Sequence, residues 1–135
     1  MPERRKVLVV EDNDFVRMQI VSHLKGAGYD ICEATDGDGA LDRLDANSDI
    51  GLSIVDVRMD PMGGFEFIKI LRDNDNKMPV ILVTGDDTAD LLEQAGKYGV
   101  AAVLMKPVEK ERLVRTVERT LAATVMKSGG SGGHL

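Results

Sequence analysis

The pattern that most narrows the fold is a recurrence. Five short apolar runs punctuate the chain: VLVV (Val7–Val10), YDIC (Tyr29–Cys32), LSIV (Leu52–Val55), VILV (Val80–Val83) and AAVLM (Ala101–Met105). Each has the length of a strand, and four are nearly continuous rather than alternating. Continuous apolar runs suit strands covered on both faces, as in a parallel sheet. The second run alternates more, which predicts an edge strand. Between the runs the spacing becomes helical. Val16, Ile20 and Leu24 fall at i, i+4 and i+8; Phe67, Ile68 and Leu71 form a short stripe; Leu113, Val117 and Leu121 form a longer one. Ala40, Leu41 and Leu44 mark a second helix, and Leu91, Leu92 and Ala95 a fourth. Strict alternation of strand and helix predicts an α/β fold: an open five-stranded parallel sheet with helices on both faces. Five such units in about 120 residues fall short of an eight-fold barrel.

Local signals agree. Asp12–Asn13–Asp14 is N-capping chemistry for the first helix. Gly26, Gly28 and Gly99 stand where helices should end. Pro79 opens the fourth strand, where a missing N–H is tolerated. The last residues, SGGSGGHL, have linker composition. A single domain over 1–124 is expected, with 125–135 a flexible tail or linker stump.

Composition removes several function classes. Hydrophobic residues make up 43% of the chain, enough for a core. The apolar runs are far too short to span a membrane, and the basic N-terminus lacks a signal-peptide core; a cytoplasmic protein is expected. A net charge of −6 argues against direct nucleic-acid binding. Lys110, Arg112, Arg115 and Arg119 are interleaved with Glu109, Glu111 and Glu118, the pattern of a solvated helix face. Cys32 can form no internal disulfide and reads as a small buried strand residue; no Cys/His spacing suggests zinc. His23 and His134 read as surface residues.

Open α/β sheets bind ligands at the carboxyl ends of their strands, so the residues after each run carry the weight. These are Glu11 and Asp12 after the first, Asp56 after the third, Thr84 after the fourth, and Lys106 with Pro107 after the fifth. Only Glu33 and Ala34 come after the second. Three carboxylates, a hydroxyl and an ammonium would converge on one edge. Two carboxylates about 4 Å apart repel by roughly 4 kcal/mol at an effective dielectric near 20, and one Lys offsets only part of this. An all-oxygen site suits the hard cation Mg²⁺. Thr84 and Lys106 then serve as donors to phosphoryl oxygens, and an Asp carboxylate can act as a phosphoryl-accepting nucleophile.

With these residues in place, the chain resembles the receiver domain of two-component response regulators. The resemblance rests on VLVVEDN, IVDVRMDPMGG, VTG and LMKP, and spans about Lys6 to Ala123. It implies the flavodoxin-like strand order 2-1-3-4-5, which the doubly wound sheets of this type share. It implies Asp56 as phosphoacceptor. Asp12 and Asp56 become Mg²⁺ ligands, with Glu11 acting through a bound water and the Arg58 carbonyl as a further ligand. Lys106 would pair with Asp56 and then with the phosphoryl group, and Thr84 would hydrogen-bond a phosphoryl oxygen. Arg58 and Asp86 would tune the lifetime of the acyl phosphate, and the bond before Pro107 would be cis. The donor would be a phosphohistidine on a histidine kinase or histidine phosphotransfer protein. The response would be a population shift at the face of helix four, strand five and helix five, read by a downstream protein or output domain. Such a switch is not a turnover enzyme.

Three departures stand out. Val103 occupies a position where the family carries Tyr or Phe. MDPMGG displaces the proline by one and puts Gly63 where an acid is usual. Gly85 stands where Ala is common and would open the site. Rival readings fit less well. A haloacid-dehalogenase-type phosphatase requires an acid at the position of Arg58. Gly37–Asp42 stops short of a dinucleotide motif, and Ala40 and Leu41 break an EF-hand pattern. A receiver-like scaffold that no longer switches is the alternative motivated by Val103.

Overall fold

Strand follows helix without exception in the computed structural model, which describes residues 6–85 and 89–133, with side-chain surroundings up to residue 124. The order is β1 (Lys6–Val10), α1 (Asp14–Gly26), β2 (Asp30–Ala34), α2 (Gly37–Ala46), β3 (Ile50–Asp56), α3 (Gly64–Asp73), β4 (Val80–Thr84), α4 (Ala89–Lys97), β5 (Ala102–Met105) and α5 (Lys110–Gly133). The five strands pair in parallel in the order β2-β1-β3-β4-β5. The backbone of α5 continues through the Gly/Ser-rich stretch as far as Gly133. Among the described residues no helix is long and apolar enough to cross a membrane.

The sheet separates two apolar layers, because successive strand residues point to opposite faces. Val7 and Val9, Leu52 and Ile54, and Ile81 and Val83 pack with Leu24 of α1 and Leu113 and Val117 of α5. Leu8 and Val10, and Val80 and Leu82, pack with Ala40 of α2, Phe67 and Ile68 of α3 and Ala95 of α4. Phe67 is fully buried; truncating such a ring to Ala costs about 3–5 kcal/mol. The β1–β3 register slips by one residue between Lys6 and Val7, passing over Gly51. The slip sends Ile50 to the α2–α3 layer, although Leu52 and Ile54 face α1 and α5.

The helix ends obey their local chemistry. Asn13 caps α1, its Oδ1 accepting from Val16 N at 2.9 Å, and Asp36 caps α2 by accepting from Gly39 N at 2.9 Å. Gly28 and Gly99 adopt φ of 94° and 66°, as helix-terminating glycines do. Two expectations need correcting, the limits of β2 and the burial of Cys32. β2 begins after Tyr29 and includes Glu33 and Ala34, which pair with Val9 and Val10; Tyr29 is instead buried at the end of α1, its N–H on Leu24 O. β5 is the second edge of the sheet, as the order 2-1-3-4-5 implies; Ala102 and Leu104 pack into one layer and Val103 into the other, and Met105 at its end is exposed. Cys32, on edge strand β2, is half-buried.

Candidate functional site

Register and alternation together place the functional side chains. Val10 pairs with Val55, Asp56 with Val83, and Thr84 with Met105. Each strand therefore ends beside the next, and Glu11, Asp56, Thr84 and Lys106 form a row along one rim. Alternation then decides the side. Residues two apart share a face, so the α1–α5 face that takes Val9, Ile54 and Leu104 also receives Glu11, Asp56 and Lys106. Thr84 comes two residues after Leu82 on the opposite face and approaches from there. The Lys106 amide donates to Thr84 O at 2.8 Å, which extends the β4–β5 ladder into the site.

Lys106 Nζ lies 3.0 Å from Glu11 Oε1 and 3.2 Å from Asp56 Oδ1. Glu11 and Asp56 are buried, Asp12 is exposed, and one carboxylate oxygen from each of the three lies within 4.8 Å of the others. One ammonium faces three carboxylates, a formal charge of −2 over a few ångströms. Burial pushes the Glu11 carboxyl above its usual range; Lys106 and the Asn13 N–H pull it down, Asp56 pushes it up, and burial prevails. For Lys106 the balance reverses: burial disfavours its charge, but Glu11 and Asp56 more than offset this and raise the ammonium above its usual value.

Beyond the carboxylates, Asp56, Arg58, Thr84, Gly85 and Lys106 line an open cavity of about 250 Å³. Asp56 thus stands at the wall of a space large enough for a small ligand, with an ammonium on one side and a hydroxyl-bearing residue on the other.

The response regulator receiver domain family matches residues 7–118. The chain belongs to that family. Among curated relatives, the chemotaxis protein CheY1 of Helicobacter pylori is 33% identical over 119 residues, covering 86% of this chain and 96% of CheY1. The autoinducer sensor kinase/phosphatase CqsS of Vibrio cholerae is 28% identical over 116 residues, which are 84% of this chain but only 17% of CqsS. The chain thus spans a small part of some relatives and nearly the whole of others. The crystal structure of a response regulator receiver protein from Pseudomonas putida superposes with a TM-score of 0.83 at 32% identity, over 88% of this chain and 99% of that one.

The receiver domain's donor set fits a divalent cation on two observations. The ligand atoms are all oxygens and lie close together. Buried Glu11 and Asp56 also share the single Lys106 ammonium, at 3.0 and 3.2 Å, which offsets only part of their charge; a cation or its bound water would supply the rest.

The loops that carry these groups are built differently. The Glu11 N–H donates to Ala34 O at 3.1 Å, and the Asn13 N–H donates to Glu11 Oε2 at 3.1 Å. Arg17 Nη1 donates to Glu11 O at 2.8 Å. Across the site, Gly64 N donates to Val57 O and Gly37 N to Met62 O, both at 3.0 Å. A Cβ on Gly64 would collide with Asp56 O, and one on Gly37 would lie 2.5 Å from Met62 Cγ and Sδ. Both Asp60–Pro61 and Lys106–Pro107 are cis.

The structure brings Glu11, Asp12, Asp56 and Lys106 together and puts Thr84, Gly85 and Arg58 around the adjoining cavity. Val103, half-buried against the α2–α3–α4 layer, is set back from it along β5. Asp86 lies outside the described residues. Sequence reasoning missed Arg17, the Gly37–Met62 contact and the cis bond at Asp60–Pro61. For Arg17 the available signal was its spacing of three from Asp14.

Proposed function

We propose that this receiver domain accepts a phosphoryl group on Asp56 from a phosphohistidine donor carried by a histidine kinase or a histidine phosphotransfer protein. The observation that supports this best is Asp56 itself: a buried carboxylate at a strand end, 3.2 Å from Lys106 and opening onto a cavity that Thr84 also lines. An Asp56 oxygen attacks phosphorus, the P–N bond breaks, and its electron pair returns to the imidazole nitrogen, which takes up a proton. Lys106 pairs with the Asp56 carboxylate and then with a phosphoryl oxygen, while Thr84 donates its hydroxyl to another. Asp12, Asp56, the Arg58 carbonyl and, through water, Glu11 would hold Mg²⁺, which when bound neutralises carboxylate and phosphoryl charge. Water later attacks phosphorus and returns Asp56 as a carboxylate with inorganic phosphate. Gly85 leaves that side of the cavity open, and the side chains of Arg58 and Asp86 set how readily water arrives.

The output is a population shift on the face of α4, β5 and α5, where Leu92 and Met105 stand exposed. A downstream protein or an attached output domain reads that face. On this reading residues 1–124 form the working domain in the cytoplasm, and 125–135 serve as tail or linker. A receiver-like scaffold that binds partners without switching is the second reading. It is favoured by Val103, a small side chain at the centre of β5. Acetyl phosphate with Mg²⁺ should add one phosphoryl mass to the wild type and none to Asp56→Asn. An unchanged wild-type mass would overturn the acceptor reading. Phosphorylation without any amide-shift change on α4, β5 or α5 would favour the scaffold.

A further inference from the structure

We infer that Arg17 is a positioning residue for the cation-binding acids, acting through the Glu11–Asp12 peptide. Its guanidinium reaches three acceptors: one in the turn after β1, one at the start of its own helix and one on β2. Nη1 donates to Glu11 O at 2.8 Å, Nη2 to Asp14 Oδ1 at 2.7 Å and Nε to Glu33 Oε1 at 3.1 Å. The side chain is only 16% exposed.

The first contact matters most. Glu11 O is the carbonyl of the peptide that joins Glu11 to Asp12. That unit is planar, so the direction of the carbonyl sets the direction in which Asp12 leaves the strand. The peptide lies just beyond the last paired residue of β1, where the sheet no longer restrains it. Glu11 N–H is held by Ala34 O, and its Oε2 accepts from Asn13 N. Arg17 completes the set by holding the carbonyl. Glu33 and Asp14 in turn fix the guanidinium, and Arg43 Nε holds Glu33 through its carbonyl at 3.0 Å. A planar fork can satisfy three acceptors at fixed angles, whereas a lysine ammonium cannot reproduce that geometry. Partners that orient metal ligands typically cost about 10–100-fold in metal affinity when removed.

A plain staple between α1 and β2 would use the same ion pairs, so stability alone does not separate the two roles. The inference rests on the reading that Glu11, Asp12 and Asp56 hold a divalent cation, and the test separates the two. Mg²⁺ alone is titrated calorimetrically into the full chain as wild type, Arg17→Ala and Arg17→Lys, well below each melting temperature. The amide resonances of Glu11, Asp12 and Asn13 are recorded in parallel with metal removed by EDTA. Arg17→Ala should bind Mg²⁺ about 10-fold more weakly. Arg17→Lys should keep the charge yet recover only a small part of the loss. In both, the three metal-free amides should shift or broaden. Affinity within twofold of wild type in folded Arg17→Ala overturns the inference. So does full recovery in Arg17→Lys, which would assign the effect to long-range charge. If the Ala variant does not fold, the Lys variant decides alone by the same criterion. A wild type that binds no Mg²⁺ sinks the cation reading, and unmoved metal-free amides separately sink the claim that Arg17 sets the peptide.

Discussion

At the β1–α1 turn, the residues carrying Glu11 and Asp12 are held by polar side chains: Arg17 on a carbonyl, Asn13 on the first turn of α1, and Glu11's own carboxylate on a backbone N–H. At the β3–α3 loop, across Asp56, the restraint is mostly steric and main-chain. Gly64 abuts the Asp56 carbonyl, Gly37 abuts Met62, and two backbone hydrogen bonds close the loop. The two loops serve one site but should fail in different ways. The polar loop is sensitive to deleting an atom or changing a charge. The steric loop is sensitive to adding one.

The largest expected effect lies in the steric loop. Gly64→Ala must push its methyl into the Asp56 main chain, which has no flexible end to give way. Overpacking of this kind costs about 3 kcal/mol, read from the urea midpoint at unchanged slope. A loss below about 1 kcal/mol would break the comparison. Gly37→Ala meets the Met62 side chain from Cβ to Sδ instead, which can turn aside in part, and as the first residue of α2 it gains helix propensity. A net loss of about 1 kcal/mol is expected. The double change with Met62→Ala should be less costly than the two single changes summed; strict additivity would count against a contact between them.

The smallest effect belongs to the polar loop and is a pH dependence. Glu11 is raised in the folded chain by burial, against Lys106 and the Asn13 N–H and with Asp56, so the folded state binds its proton more tightly than the unfolded one. Metal-free stability from this group is therefore highest below its unfolded value of about 4.5. It declines as pH rises through the raised folded value. Glu11→Gln should remove that slope, so its stability relative to wild type should improve from acid toward neutral pH in EDTA. Parallel stability curves for the two proteins would show that the loop already compensates the charge. Lys106, also raised, contributes stability that is lost only above its usual range and leaves this window undisturbed.

Much of this arrangement was legible in the sequence because its signals are local. Apolar runs marked all five strands, and the polar residues at their carboxyl ends pointed to Glu11, Asp56, Thr84 and Lys106 without coordinates. The strand limits were less legible. Tyr29 is as apolar as a strand residue, yet it is buried as part of a helix ending. The AAVLM run is as continuous as that of a central strand; its place at the edge followed from the implied order 2-1-3-4-5, not from its composition. Arg17 and Met62 were missed for a related reason. Their importance comes from partners 6 to 25 positions away, brought near by the β1–α1 turn for Glu11 and by the crossovers for Glu33 and Gly37. An isolated Arg or Met carries no mark of that.

The Gly37–Met62 contact bears on how such a sequence can drift. The two positions lie on different elements, one at the start of α2 and the other in the loop after β3, yet the space between them admits only one side chain of any length. A side chain at residue 37 should cost less in a background where residue 62 is already short, so the order in which substitutions arrive matters. Positions 37 and 62 are thus one joint constraint on the packing beside Asp56 rather than two separate ones.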